Sequence, residues 1–307
     1  MSDQADGLRQ RVQARSGSSA VADLPPPLPV LKAGPRARSL VLTSGKGGVG
    51  TSNLALNLAI ALGERGGRVV LVDADLGLAN IDLLCGLSPG CDLGDVLAGE
   101  RTLAEAIVEG PGAIRIIPGA HGSRTLIEAL GDAPRRLVHE LSGLEAGADF
   151  LVVDAGSGLG ASIATLVAAA DEVLMVTTPE PTSVADAHAA IHRFRRLAAP
   201  PTLGAVVNQV GSSEEADEVL ARLTASSRQF FGAVVEGLGS VRSDPHVPLA
   251  VRSRRPFTVA YPGAAASRDV RRLARTLMAR DRDVHRSRRP GFFAALAARW
   301  ALGRLTR

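Results

Sequence analysis

Between residues 38 and about 280 the apolar positions of this chain fall into two alternating patterns. Runs that are apolar nearly throughout occur at 39–43, 68–73, 113–118, 149–154, 172–177, 203–210 and 231–235. Runs of that length suit strands buried on both faces. Between them, segments 52–65, 134–145, 182–198 and 214–228 are long enough for crossover helices. The alternation predicts an α/β fold with a doubly wound, mostly parallel sheet. Short helical extensions flank it. Residues 1–12 read as a helix with Leu8 and Val12 at i, i+4 spacing, and 13–37, rich in Ser, Ala and Pro, as a linker. Residues 281–290 form a basic hinge before a last helix at 291–307.

Composition narrows the class. Hydrophobic residues make up 46 % of the 307 but aromatics only 3 %, so the core must be packed mainly with Ala, Val and Leu. No run reaches the ~18 apolar residues that span a bilayer, and the N-terminus lacks a signal-peptide pattern. Two cysteines, Cys85 and Cys91, make no disulfide framework. A cytoplasmic location is expected. The net charge of +4 belongs to the tail, because 281–307 carries seven Arg against two Asp and leaves the rest at about −1. A nucleic-acid partner for the main domain is therefore not expected. Lys32 and Lys46 are the only lysines, which makes the position of Lys46 informative.

The candidate chemistry lies in Ser44-Gly45-Lys46-Gly47-Gly48-Val49-Gly50-Thr51-Ser52, between the first strand and the first helix. Backbone N–H groups of such a turn, with a helix N-terminus behind them, can converge on phosphate oxygens. The P-loop pattern GxxxxGK[ST] is met from Gly45 to Ser52 with one break, Thr51 in the lysine position. The same letters satisfy GxGxxG, with Asp73 about where a dinucleotide fingerprint places its ribose-binding acid. An NAD-type oxidoreductase thus stays open as an outside alternative. Further residues favour a nucleoside triphosphate: Ser52 in the magnesium position, Asp73 and Asp75 as two acids, and Asp154 as a second metal-shell acid. Gly156-Ser157-Gly158 follows as a turn able to sense a γ-phosphate.

These residues resemble the deviant P-loop of the MinD/ParA ATPases, in which an extra signature lysine sits early in the loop. The resemblance covers about 38–280 and implies ATP/ADP and Mg²⁺ as ligands. It also implies an ATP-dependent homodimer in which Lys46 reaches the partner's phosphates. Asp75 would orient the attacking water, Ser52, Asp73 and Asp154 would serve the metal, and Asn208 falls where the family reads adenine. Within the family the chain is similar to the FlhG (YlxH) branch, MinD-like regulators of flagellar number and placement. Three pieces carry this: Asp3-Gln4-Ala5-Asp6-Gly7-Leu8-Arg9, Thr177-Thr178-Pro179-Glu180-Pro181-Thr182-Ser183, and Arg254-Arg255-Pro256-Phe257 with Tyr261-Pro262. The first resembles a motif that stimulates an FlhF-type GTPase, which implies partner contacts by Asp3, Gln4, Ala5, Leu8 and Arg9. Flagellar basal-body and C-ring proteins are implied as further partners. A division or partitioning ATPase is the alternative within the family.

Thr51 is the main departure. The missing ammonium would have made charge-assisted bonds of roughly 1.5–3 kcal/mol each, so affinity should fall by about one to two orders of magnitude. Lys46 of the partner or an Arg of a neighbouring loop are the conceivable compensations. Hydrolysis is expected to be slow or absent, and a non-hydrolysing adaptor of the same fold is the alternative.

On a helical wheel from Gly291, Phe292, Phe293, Leu296 and Trp300 share a sector flanked by Arg299. This reads as an amphipathic anchor for an anionic membrane surface, so peripheral attachment to the inner face of the cytoplasmic membrane is expected. A helix docked on its own domain is the competing reading. His188 and His192, at i, i+4 spacing, lack a third ligand and read as a solvated pair rather than a metal site.

Overall fold

The structure is a computed structural model and describes residues 36–75, 79–120, 135–280 and 290–305. The expected N-terminal helix, with Asp3, Gln4, Ala5, Leu8 and Arg9, lies outside these residues, as does most of the basic hinge. Eight strands form one sheet: β1 (Arg38–Ser44), β2 (Val69–Asp73), β3 (Val108–Gly110), β4 (Ile114–Ile117), β5 (Phe150–Ser157), β6 (Glu172–Thr177), β7 (Thr202–Val210) and β8 (Val235–Arg242). Their order is β3-β4-β2-β5-β1-β6-β7-β8, parallel throughout except for the β3–β4 pair.

The helices are α1 (Thr51–Gly63), α2 (Ile81–Cys85), α3 (Leu93–Ala98), α4 (Leu103–Ala106), α5 (Arg135–Ala146), α6 (Ala161–Ala169), α7 (Pro181–Arg195), α8 (Ser213–Phe231), α9 (His246–Arg252), α10 (Phe257–Ala260), α11 (Ala265–Ala279) and α12 (Phe292–Leu305). They cover both faces of the sheet. In β1, Leu40 and Leu42 join the apolar cluster of α1 and α11, while Val41 joins the cluster of α5, α6, α7 and α8 on the other face. Apolar residues on both faces of a strand make its sequence an unbroken apolar run, as the pattern predicted.

Among the strands, two depart from the sequence reading. Residues 231–234 do not form a strand. Ser212 opens α8 by accepting the Glu215 N–H, and the helix continues to Phe231 until Gly232, at φ 60°, stops it. The strand begins at Val235 and runs through Gly237, Gly239 and Ser240. As an edge strand in which only Val235, Leu238 and Val241 are buried, β8 lacks the apolar run that marks its neighbours. The short antiparallel β3 was not foreseen either, since three residues carry no readable period.

The last helix sits differently from a free membrane anchor. Phe292 (0 % exposed), Phe293 and Leu296 are buried in the core cluster, and α12 packs against α5 and α6. The carboxylate of Glu145, at the end of α5, accepts the N–H groups of Phe292 (2.9 Å) and Phe293 (3.4 Å). A carboxylate at a helix N-terminus satisfies unpaired donors and complements the helix dipole. Burial pushes Glu145 upward, opposed by these two bonds and by Arg36. In this conformation the apolar sector is therefore covered by the protein's own domain. Arg299 is half-buried, and the Trp300 side chain lies outside the described residues. Among the described residues no helix is long and apolar enough to cross a membrane.

Candidate nucleotide-binding site

The carboxyl ends of the central strands gather the predicted residues. In open parallel sheets this is where ligands bind. After β1 the chain turns through residues 45–50 into α1, with Gly50 at the N-cap in a left-handed conformation (φ 89°) that other residues enter at a cost. At Gly45 an added Cβ would lie 2.4 Å from the Asp186 carbonyl of α7, so packing alone requires glycine there. The loop is tied down from the far side by Asn208, whose amide donates to the Val49 carbonyl at 2.8 Å.

Thr51 does not extend toward a ligand as a lysine would. Its hydroxyl is buried and donates to Ser44 Oγ at 3.0 Å, and Ser44 Oγ donates to the Lys46 carbonyl at 2.9 Å. The residue that replaces the lysine thus braces the base of the loop. Lys46 is turned outward, its Nζ donating to Glu180 at 2.8 Å and Thr182 at 3.2 Å. Glu180 is 64 % exposed, and such a pair contributes only about 0–1 kcal/mol, so it holds the lysine weakly. Glu180 and Thr182 entered the sequence reading only as part of a resembling stretch. A flexible acid far along the chain carries no local signal of the cation it holds.

Asp73 and Asp154 are register neighbours on β2 and β5, and both are buried. Asp73 accepts the N–H groups of Asp75 (3.2 Å), Asn80 (2.9 Å) and Ile81 (3.1 Å), which organises the following loop. Burial, then the adjacent Asp154, hold its pKa well above the ordinary value. Burial also raises that of Asp154, against hydrogen bonds from Ser52 and the Gly156 N–H. A cation between such acids would relieve both costs. Hydroxyl and carboxylate oxygens suit a hard ion such as Mg²⁺, which keeps much of its shell as water and substrate phosphate. Among the described residues no three His, Cys, Asp or Glu side chains form a metal-binding cluster.

Asp75 lines the cleft beside the loop, and an added Cβ on Gly156 would lie 2.3 Å from its carboxylate. Gly156 (φ 67°) and Gly158 (φ 114°) flank the exposed Ser157. The turn is pinned to β1, with the Gly158 N–H donating to the Ser44 carbonyl (2.8 Å) and Thr43 Oγ1 to the Gly156 carbonyl (3.1 Å).

Two clefts meet at Gly48, Gly50 and Asn53. The first, about 520 Å³, runs along Thr51, Ser52, Asp75 and Ser157. The second, about 290 Å³, is walled by Asn208, Asp244, Val247 and Pro248. Glycine-rich backbone between a polar cleft and a more enclosed one suits a phosphate chain joined to a nucleoside. Sequence reasoning missed Asp244. Burial would raise its pKa, but bonds from the His246 N–H (2.9 Å), the His246 ring (2.8 Å) and the Ala266 N–H (3.2 Å) outweigh it and leave it lowered. Its one legible signal was an acid before a proline just after a strand. His188 and His192 lie away from both clefts. His188 bonds the Val184 carbonyl and Ser226 Oγ, and both rings pack on Phe231, so the pair joins α7 to α8 and is not merely solvated.

Residues 40–257 match the CobQ/CobB/MinD/ParA nucleotide binding domain. The chain is 38 % identical over 228 residues to the antiactivator FleN of Pseudomonas aeruginosa, covering 74 % of this chain and 81 % of FleN. It is 32 % identical over 243 residues to the flagellum site-determining protein YlxH of Helicobacter pylori, covering 78 % and 82 %. The structure of the septum site-determining protein MinD complexed with Mg-ADP, from Pyrococcus horikoshii, superposes with a TM-score of 0.64 at 27 % identity, covering 78 % of this chain and 96 % of that one. With its sheet, its phosphate loop and its acids in these positions, the chain belongs to the CobQ/CobB/MinD/ParA nucleotide-binding family, on the FlhG-like side of its MinD/ParA branch.

Proposed function

We propose that this protein is an ATP- and ADP-binding spatial regulator of flagellar assembly, of the FlhG kind, in which hydrolysis is slow or absent. The observation that carries the second half is Thr51, its hydroxyl committed to Ser44 where a lysine ammonium would meet the phosphates. The flagellar half is supported by the likeness to FleN and YlxH and by residues 3–9.

The loop N–H groups at 45–50 and the N-terminus of α1 would bind the phosphates, and Asn208 would face the base. Mg²⁺, when bound, would draw charge from the phosphates, with Ser52 and Asp154 holding it and Asp73 beside them. Asp75 would orient a water, and Gly156, Ser157 and Gly158 would respond to the γ-phosphate. Lys46 would leave Glu180 for the phosphates of a second copy, making the dimer depend on ATP. Residues 3–9 would engage an FlhF-type GTPase near the flagellar basal body and C-ring. The helix α12 would serve an anionic membrane at the inner face of the cytoplasmic membrane only after leaving its seat on α5 and α6. A non-hydrolysing adaptor with the same surfaces is the second reading, favoured by Thr51 alone.

Turnover separates them from a working ATPase. Phosphate release by purified protein with Mg-ATP is expected near background. Robust, magnesium-dependent release that disappears in Asp75→Ala would overturn the proposed loss of hydrolysis.

A further inference from the structure

A polyphosphate entering the larger cleft meets the wall formed by Asp75, with Asp73 and Asp154 behind it, and no lysine at position 51. Among the residues that line this cleft one side chain is cationic, Arg254. It comes from the turn after α9, more than two hundred positions from the loop it faces. Other arginines of the fold are spent on acids: Arg36 on Asp171, Arg242 on Asp269, Arg271 on Glu64 and Arg280 on Glu172. Arg254 is exposed and has no ion pair or side-chain hydrogen bond among the described residues.

Arg254 is left-handed at φ 50°, a conformation in which glycine is the unstrained choice. The surroundings enforce it. The Arg254 N–H donates to the Val251 carbonyl at 3.0 Å, and its own carbonyl packs so closely on Gly86 that a Cβ there would lie 2.8 Å away. A strained residue that persists where glycine would serve the turn better points to a use for its side chain. A guanidinium offers planar, paired donors that match phosphate oxygens, and it keeps its charge at any working pH.

We propose that Arg254 binds the phosphate chain of a nucleoside di- or triphosphate in this cleft, supplying within the same subunit the positive charge that Thr51 does not. This rests on the nucleotide-binding reading above and names the residue that sustains it. The test is calorimetry of Mg-ADP, Mg-ATP and adenosine with the full chain, comparing wild type, Arg254→Gly and Arg254→Gln. Arg254→Gly removes the left-handed strain, so it should melt no lower than wild type. Both variants are expected to bind Mg-ADP and Mg-ATP at least tenfold more weakly while adenosine binding stays the same. Unchanged Mg-ADP and Mg-ATP affinity in both variants, beside a wild type that binds, would overturn the role of Arg254 and leave the nucleotide reading standing. A wild type that binds neither nucleotide would overturn both.

Discussion

Thr51 holds the base of the phosphate loop through its bond to Ser44 Oγ, and the ammonium that a lysine would bring there is missing. That a threonine replaces the P-loop lysine is plain from the spacing, but its bond to Ser44 depends on how the loop closes. The same holds for the acids. Asp73, Asp75 and Asp154 could be read from strand ends, whereas the register that sets Asp73 beside Asp154 belongs to the sheet. That pairing has a consequence for stability. Both groups carry pKa values above the ordinary 3.8, so above that pH the folded protein retains protons that the unfolded chain has released. The stability they contribute is full below the ordinary value and is lost as pH rises through the raised ones. Ligand-free protein should therefore melt at lower temperature as pH goes from about 5 to about 8, and Asp73→Asn should flatten the slope. An equal slope in Asp73→Asn would show that the pair is not its source.

The elements that could be read in advance are those whose burial is one-dimensional. Strands β1, β2, β5, β6 and β7 are apolar along their length because neighbours cover both faces, and helices α1, α5, α7 and α8 fill the gaps between such runs. The edge strand β8 and the short α9 and α10 lack that signature. An amphipathic segment such as α12 states only that one side avoids water. It does not state whether lipid or protein covers that side, and here Glu145 and the surfaces of α5 and α6 supply the cover. Removing the Glu145 carboxylate should loosen the seat by about 0.5–2 kcal/mol, the usual value of a helix N-cap. Glu145→Ala should then exchange amide hydrogens faster across Phe292–Leu305 while α1 stays as protected as in wild type. Equal protection of α12 in the variant would show that packing alone holds it.

At the scale of the whole molecule, topology brings residues 45–52, 73–75, 154–158, 208 and 254 together at the carboxyl ends of the parallel strands. The first four groups could be assembled from the sequence because each follows a buried strand. Arg254 and Asp244 could not, since the turns that bring them in are set by the packing of α10 and α11 against α1 and of α9 against α10. In the proposed function these strand ends are a nucleotide site that works without the loop's own lysine. Calorimetry of ATP and ADP, with and without Mg²⁺, on wild type and Thr51→Lys tests that directly. Measurable but weak Mg-dependent binding by wild type, tightened about tenfold in Thr51→Lys (about 1.4 kcal/mol), is the predicted result. Absence of binding by wild type, or equal affinity in the two proteins, would contradict it.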